Sequence, residues 1–444
     1  MWTRLAGLAL AVAALTGCGV VDGLFEGDET RLEGEREPVL PSEQAVEPDP
    51  DVAGVAIEVP NARANAAWPQ PGGTARNNLI HAALDRDLAV AWRTDIGVGE
   101  SHDRAILGQP VVADGRVYAL DARNTVTALT ARTGERAWQR TLQAPEEPAE
   151  SYFGGGVSYR DGRLFVTTGD GRVHALDAGS GETIWTQALT TPVHAAPTVH
   201  DGRVLVVTET NRTLALDAED GTQLWRHEGI EEEAGLIGSG APAADGGTAV
   251  VGYSSGQVFA LLMENGASAW SDTLASLTGG GDPGTELADV RGMPVIDRGV
   301  VYASSNANRT VAIRLRQGTR AWMREIGGIE MPWVAGNAVF TVSNRARVYA
   351  ILRENGKVRW ATKIPQFTDP DDAEGRISWH GPVLAGGRLL LAGTNDRLVA
   401  LDPATGEATN RRRLANTPAV SPVVAGNTLY LLGDDGTLTA LRAP

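Results

Sequence analysis

The residue types able to do chemistry are few in this chain, and their spacing argues against most of it. Seven histidines (His81, His102, His174, His194, His200, His227 and His380) show no metal-ligand spacing. Asp369, Asp371, Asp372 and Glu374 crowd one stretch as calcium-binding carboxylates do, but without the regular intervals of an EF-hand loop. There is no nucleophile elbow and no P-loop, and the glycine runs Gly154-Gly155-Gly156 and Gly279-Gly280-Gly281 sit in connections between strands. The single cysteine, Cys18, leaves no thiol for a disulfide, a cysteine-ligated zinc or thiol catalysis. These residues predict a chain that is not an enzyme and that holds neither cofactor nor metal.

The chemistry left to Cys18 is acylation. Arg4 precedes an apolar run over residues 5–15, too short to span a bilayer permanently, and the run ends in Leu15-Thr16-Gly17-Cys18. That ending resembles a bacterial lipobox, which implies cleavage before Cys18, acyl chains on it and stable attachment to a membrane. Gly19 stands where an aspartate would favour inner-membrane retention, so the outer membrane is expected. The net charge is −16, with 55 acidic residues, twelve of them within residues 19–60. The acidic excess argues against nucleic-acid binding. Residues 18–60 read as the acylated cysteine and an acidic, solvated tether, residues 1–17 as a signal peptide, and residues 61–444 as one folded body.

That body must be built by repetition. Ala175-Leu176-Asp177-Ala178-Gly179-Ser180-Gly181-Glu182-Thr183-Ile184-Trp185 recurs in recognisable form at Ala128 to Trp138, at Ala215 to Trp225 and at Ala400 to Thr409, with weaker copies ending at Trp270, Trp322 and Trp360. Upstream of each copy lie two apolar runs joined by a tight turn, as in Pro110-Val111-Val112-Ala113-Asp114-Gly115-Arg116-Val117-Tyr118. Trp92, Trp138, Trp185, Trp225, Trp270, Trp322 and Trp360 follow one another at intervals of 38 to 52 residues, the period of a four-stranded propeller blade. The last repeat lacks its fourth strand, and residues 88–94 form a fourth strand with no blade before it. Pairing the two closes a ring of eight antiparallel blades, an all-β propeller with no open sheet edge between its ends. The tryptophans recur in every repeat, as the repeat itself would require; their rings fill the space between blades. Trp68-Pro69-Gln70-Pro71-Gly72-Gly73 through Asn78, ahead of the first strand, is expected on the rim.

Function is sought where the repeats differ. Links between second and third strands, and from each fourth strand to the next blade, share one face, and the long connections fall there: residues 143–152, 228–240, 274–291 and 365–379. Two of them flank one blade. The first carries apolar Leu236 and Ile237 beside Glu231-Glu232-Glu233, and the second carries Asp289 and Arg291, a composition suited to a protein interface with an apolar centre and a polar rim. Arginines gather in the later blades (Arg309, Arg314, Arg345, Arg347, Arg359) as alternating exposed strand positions, or as a shallow basic patch for acidic partners or lipid headgroups.

The repeat resembles the tryptophan-docking repeat of propellers related to pyrroloquinoline-quinone enzymes. Within that group Ser239-Gly240-Ala241-Pro242, Ala260-Leu261-Leu262-Met263-Glu264-Asn265-Gly266 to Trp270, and Glu286-Leu287-Ala288-Asp289-Val290 resemble the BamB family, lipoproteins of the outer-membrane β-barrel assembly machine. The resemblance implies a non-catalytic scaffold that contacts the POTRA domains of BamA through these two loops and assists unfolded outer-membrane proteins. Leu236 matches the second leucine of the family's Leu-x-Leu-Arg motif, with Ala234 and Ile237 departing from it; Asp289 matches the first aspartate of Asp-Val-Asp, and Arg291 replaces the second. Alternatives on the same fold are a scaffold for another envelope complex and a quinoprotein dehydrogenase. The second lacks the adjacent cysteines typical of those enzymes.

Overall fold

The computed structural model describes residues 46–142, 153–189, 191–232, 238, 240–275 and 288–444. Cys18, Leu236 and Ile237, with the expected signal peptide and most of the tether, lie outside the described residues. Among the described residues, apart from a single 3-10 turn, Pro50–Val52, and one two-stranded hairpin, the regular elements form eight four-stranded antiparallel sheets. Blades 1 to 7 run in chain order, with inner strands starting at Val111, Gly155, Thr198, Ala243, Val295, Trp333 and Trp379. Blade 8 takes three strands from residues 423–442 and its outer strand, Ala89–Asp95, from the front of the body; Val90 pairs with Leu441 and Asp95 with Thr437. The ring therefore closes as the repeat count requires.

Each outer-strand tryptophan is a dowel into the following blade. Trp185 donates its indole N–H to the Ala218 carbonyl at 3.2 Å, and Trp92, Trp138, Trp225, Trp270, Trp322 and Trp360 repeat the bond at 2.6 to 3.1 Å. The ring lies on the turn glycine of the next blade: a Cβ on Gly221, whose φ is +78°, would sit 2.6 Å from the Trp185 ring. This explains why glycine and tryptophan recur together. Blade 7 breaks the pattern, because Asn410 pairs with Ala400 where the other blades place tryptophan. Blade 8 has no third-to-fourth-strand turn to receive a ring, since its fourth strand comes from the other end of the body.

The segment expected on the rim lies in the central channel. Residues 65–82 pass all eight inner strands in ring order. Asn65 Nδ2 donates to Val424 O of blade 8 at 2.6 Å, Trp68 exchanges bonds with Val112 of blade 1 at 2.7 and 2.9 Å, and the Pro69 carbonyl accepts from Tyr159 of blade 2. Gln70 pairs through its amide with Val199 of blade 3, and the Ala75 and Arg76 carbonyls accept from Ala244 and Ile296 of blades 4 and 5. The Ile80 carbonyl accepts from the Trp333 indole of blade 6, and Ala82 donates to Leu384 of blade 7. The physical reason is satisfaction of the inner edges. Eight strands converging on an axis leave main-chain groups facing a channel too narrow to solvate well, and this segment supplies their partners.

The end of the expected tether also differs from a solvated chain. Residues 46–58 lie on blade 6, with Val52 and Ile57 buried. Asp51 pairs with Lys357, Glu47 with Arg347 at 2.9 Å, and Asn337 brackets Glu58 and Ala56. Two buried apolar residues, hydrogen bonds to Val358 and Asn337 and carboxylates opposite blade 6 cations hold it there. Part of the arginine-rich surface is thus occupied by the chain's own acids.

Candidate partner-binding face and axial funnel

The inner-strand starts mark the face that carries the long connections. The channel segment closes the other face: Asn65 O accepts from Gly426 N, and Ala82 O from Gly386 N, both in turns of that opposite side. Among the described residues, what remains is a funnel of about 120 Å³, floored by Trp68, Pro71 and Trp333 and walled by Ile106, Met293 and Met331. Trp68 and Trp333 stack at 6.1 Å, both almost wholly buried.

On one wall stands a polar cluster that sequence reasoning missed. The Glu330 carboxylate accepts from Ser421 Oγ at 2.8 Å, from Gly381 N at 3.2 Å and lies 3.2 Å from His380 Nδ1. Burial opposes its charge, but the hydrogen bonds and charge of His380, with Ser421 and Gly381, hold the carboxyl below the ordinary glutamate range. Three blades are clamped together this way. A signal did exist in the sequence. Inner strands tend to follow a small residue two places before a proline, as in Gly108-Gln109-Pro110, Gly240-Ala241-Pro242 and Gly292-Met293-Pro294; blades 6 and 7 place Glu330 and His380 at that position instead. Serine and histidine both address the same carboxylate, so the cluster does not have the order of a nucleophile–base–acid triad.

The two loops expected to be neighbours meet at this mouth. Gly238 has φ +103°, and a Cβ there would approach Arg291 Nε to 2.9 Å; Gly240 abuts the Arg291 carbonyl and Met293. Half-buried Arg291 lines the funnel with Gly238 and His194. Burial holds His194 below the usual histidine range, Glu209 opposing and Arg291 adding to the shift. Asp289 is placed differently from the expectation of a surface contact. It is 2% exposed, its carbonyl accepts from Asn306 N at 2.9 Å, and Val290 beside it bonds the Tyr253 carbonyl. The returning limb of the loop is wedged between blades 4 and 5, so Asp289 anchors the loop. Ile230, which sequence reasoning passed over, is 58% exposed in the first loop, more than any other large apolar side chain among the described residues.

The acidic stretch near Asp369 forms a turn. Asp369 Oδ1 accepts from Asp371 N and Asp372 N at 3.1 and 3.3 Å, capping the hairpin Phe367–Asp369 and Glu374–Arg376. Among the described residues no group of three or more histidine, cysteine or acidic side chains could hold a metal.

Comparison with known proteins agrees with this architecture. The family model described as outer membrane protein assembly factor BamB matches residues 145–362 and 368–443; one for the β-propeller domain of glucose, ethanol and alcohol dehydrogenases matches residues 77–186. BamB of Escherichia coli K12 is 32% identical over 79% of this chain and 88% of its own. BamB of Xanthomonas campestris pv. campestris is 30% identical over 100% of this chain and 98% of its own. Among solved structures, BamB from Moraxella catarrhalis aligns with a TM-score of 0.68 at 20% identity, covering 80% of this chain and 100% of that one. A europium-containing methanol dehydrogenase also reaches 0.68, at 14% identity over 85% and 98%; likenesses this distant speak to the fold alone. By its family match and its full-length relatives, the chain belongs to the BamB family of outer membrane protein assembly factors.

Proposed function

We propose that the protein is a non-catalytic, lipid-anchored scaffold on the periplasmic side of the outer membrane that binds the POTRA domains of BamA through the face bearing the two long loops. The observation that carries this reading is their convergence: Gly238 and Gly240 of one loop rest against Arg291 and Met293 of the other, and Ile230 of the first loop is exposed. An exposed apolar residue with acidic neighbours on the same face has the make-up of an interface core and rim. In this reading Ile230, Leu236, Ile237 and Arg291 touch the partner, Asp289 positions the loop, and Cys18 carries the acyl chains. Binding and orientation of partner and client suffice as mechanism.

The test is affinity capture of the full-length lipoprotein from gently solubilised envelopes, wild type against Ile230→Asp with Arg291→Glu. Wild type should recover BamA in stoichiometric amounts, and the double variant should lose it at an unchanged unfolding midpoint. Asp289→Arg is unsuitable here, because a buried anchor would disturb the fold. Recovery of another envelope complex without BamA would move the protein to a different assembly.

A further inference from the structure

Every blade ends in an outer strand whose far edge has no partner within its own sheet. Such edges offer alternate N–H and C=O groups to any extended chain, and proteins blunt them with charge or cover them. Seven of the eight outer strands follow that rule, with residues such as Arg140, Arg226, Asp272, Arg324, Lys363 and Arg412. The exception is blade 2. Its outer strand, Thr183–Ala188, reads Thr-Ile-Trp-Thr-Gln-Ala and has no charged side chain. Trp185 is docked inward, while Ile184 is 45% exposed, with Thr183, Thr186 and Ala188 exposed beside it. Among the described residues, no other segment hydrogen-bonds to this edge.

The same molecule shows what an outer edge can accept. At blade 6 the extended residue Asp49 (φ −72°, ψ 121°) donates its N–H to the Val358 carbonyl at 2.8 Å, and its carboxylate accepts from Val358 N at 2.6 Å. Thr183 holds the same register in blade 2 that Val358 holds in blade 6: Leu176 pairs with Thr183 as Ile351 pairs with Val358. Its main-chain groups therefore face outward in the same way.

We propose that the outer edge of Thr183–Ala188 is a strand-addition site for an extended segment of an unfolded outer-membrane barrel protein. The proposal rests on the assembly-scaffold reading and names where that scaffold holds its client. Main-chain bonds supply affinity in strand addition, and alternate side chains supply selectivity. Barrel strands alternate apolar and polar residues, so one face of such a segment sets apolar groups against Ile184 while the other stays in water. A lone uncharged edge among charged ones selects the position.

The test titrates the full-length protein into a labelled peptide of about ten residues, one barrel strand long, alternating valine with threonine and lysine, and reads fluorescence anisotropy. Saturable binding is expected. Ile184→Lys should weaken it about tenfold or more, Ala137→Lys at the matching position of blade 1 should not, and N-methylation of alternate peptide amides should abolish it. Absence of saturable binding, or equal effects of Ile184→Lys and Ala137→Lys, would overturn the proposal. BamA capture by Ile184→Lys separates the two readings: retained capture leaves the scaffold standing whichever way the peptide behaves, and lost capture would assign this edge to the BamA contact and overturn client binding there. Unfolding midpoints control for folding, with Thr186→Lys as a second variant should Ile184→Lys be unstable.

Discussion

The two mouths of the channel are finished by different chemistry. On the turn side the chain fills the axis with main-chain bonds and amide side chains: Asn77 Nδ2 alone reaches the carbonyls of Ala241, Pro242 and Pro294 at 3.2, 3.2 and 2.9 Å. On the loop side the mouth is open among the described residues, and its wall is tied by one ionised carboxylate, Glu330, holding segments of blades 7 and 8. Amides do not titrate and carboxylates do. Ties made through amides hold at any pH, whereas one made through a carboxylate responds to it.

The contrast can be broken most severely at its floor. Trp68→Ala removes a wholly buried indole stacked on Trp333 and should cost about 3–5 kcal/mol, read as a lower midpoint in denaturant titration; a loss below about 1 kcal/mol would mean that the ring closes without its plug. Asn77→Ala is expected next. It takes this donor from the Ala241 and Pro294 carbonyls, while Pro242 O keeps Thr198 Oγ1 at 2.7 Å; the loss should be about 1–3 kcal/mol, and hydrogen exchange should quicken around Ala241 and Pro294 first.

Glu330 sharpens the comparison with the smallest change. Its folded pKa lies below the free value of 4.5, so the unfolded chain takes up its proton first as pH falls. The stability it contributes is present above about pH 4.5 and is lost as the pH falls through the folded value. Exchange protection at residues 380–382 and 420–421 should therefore drop in acid, while that around Asn77 holds. Glu330→Gln should cost about 1–2 kcal/mol at neutral pH and erase the acid step; a step that persists in this variant would assign it to another group.

Much of this was legible in the sequence. The period of the tryptophans, the turn glycines and the unpaired strands at either end of the repeat predicted eight blades and their closure, because each blade must dock on the next in the same way and the sequence repeats what the packing repeats. The face carrying the long loops followed from strand alternation. Where the repeats differ, the sequence singled out Leu236, Ile237, Asp289 and Arg291 as candidates; of these the structure describes two, setting Arg291 against Gly238 and turning Asp289 inward. Sequence spacing does not say which limb of a long loop wedges between blades.

What only the tertiary structure decided lies outside the repeat. Residues 65–82 have no internal period and no apolar stripe, so nothing local reveals that they meet eight inner strands in order; their partners lie up to hundreds of residues away, and the bonds exist only once the ring has formed. The same holds for Glu330 and His380, adjacent across two blades though 50 residues apart, and for the acids of residues 47–51 lying on blade 6. The sequence by itself determined the repeating unit, whose interactions are local or pass to the next blade. The axis and the funnel were decided by closure, because a ring brings together residues that no linear spacing relates.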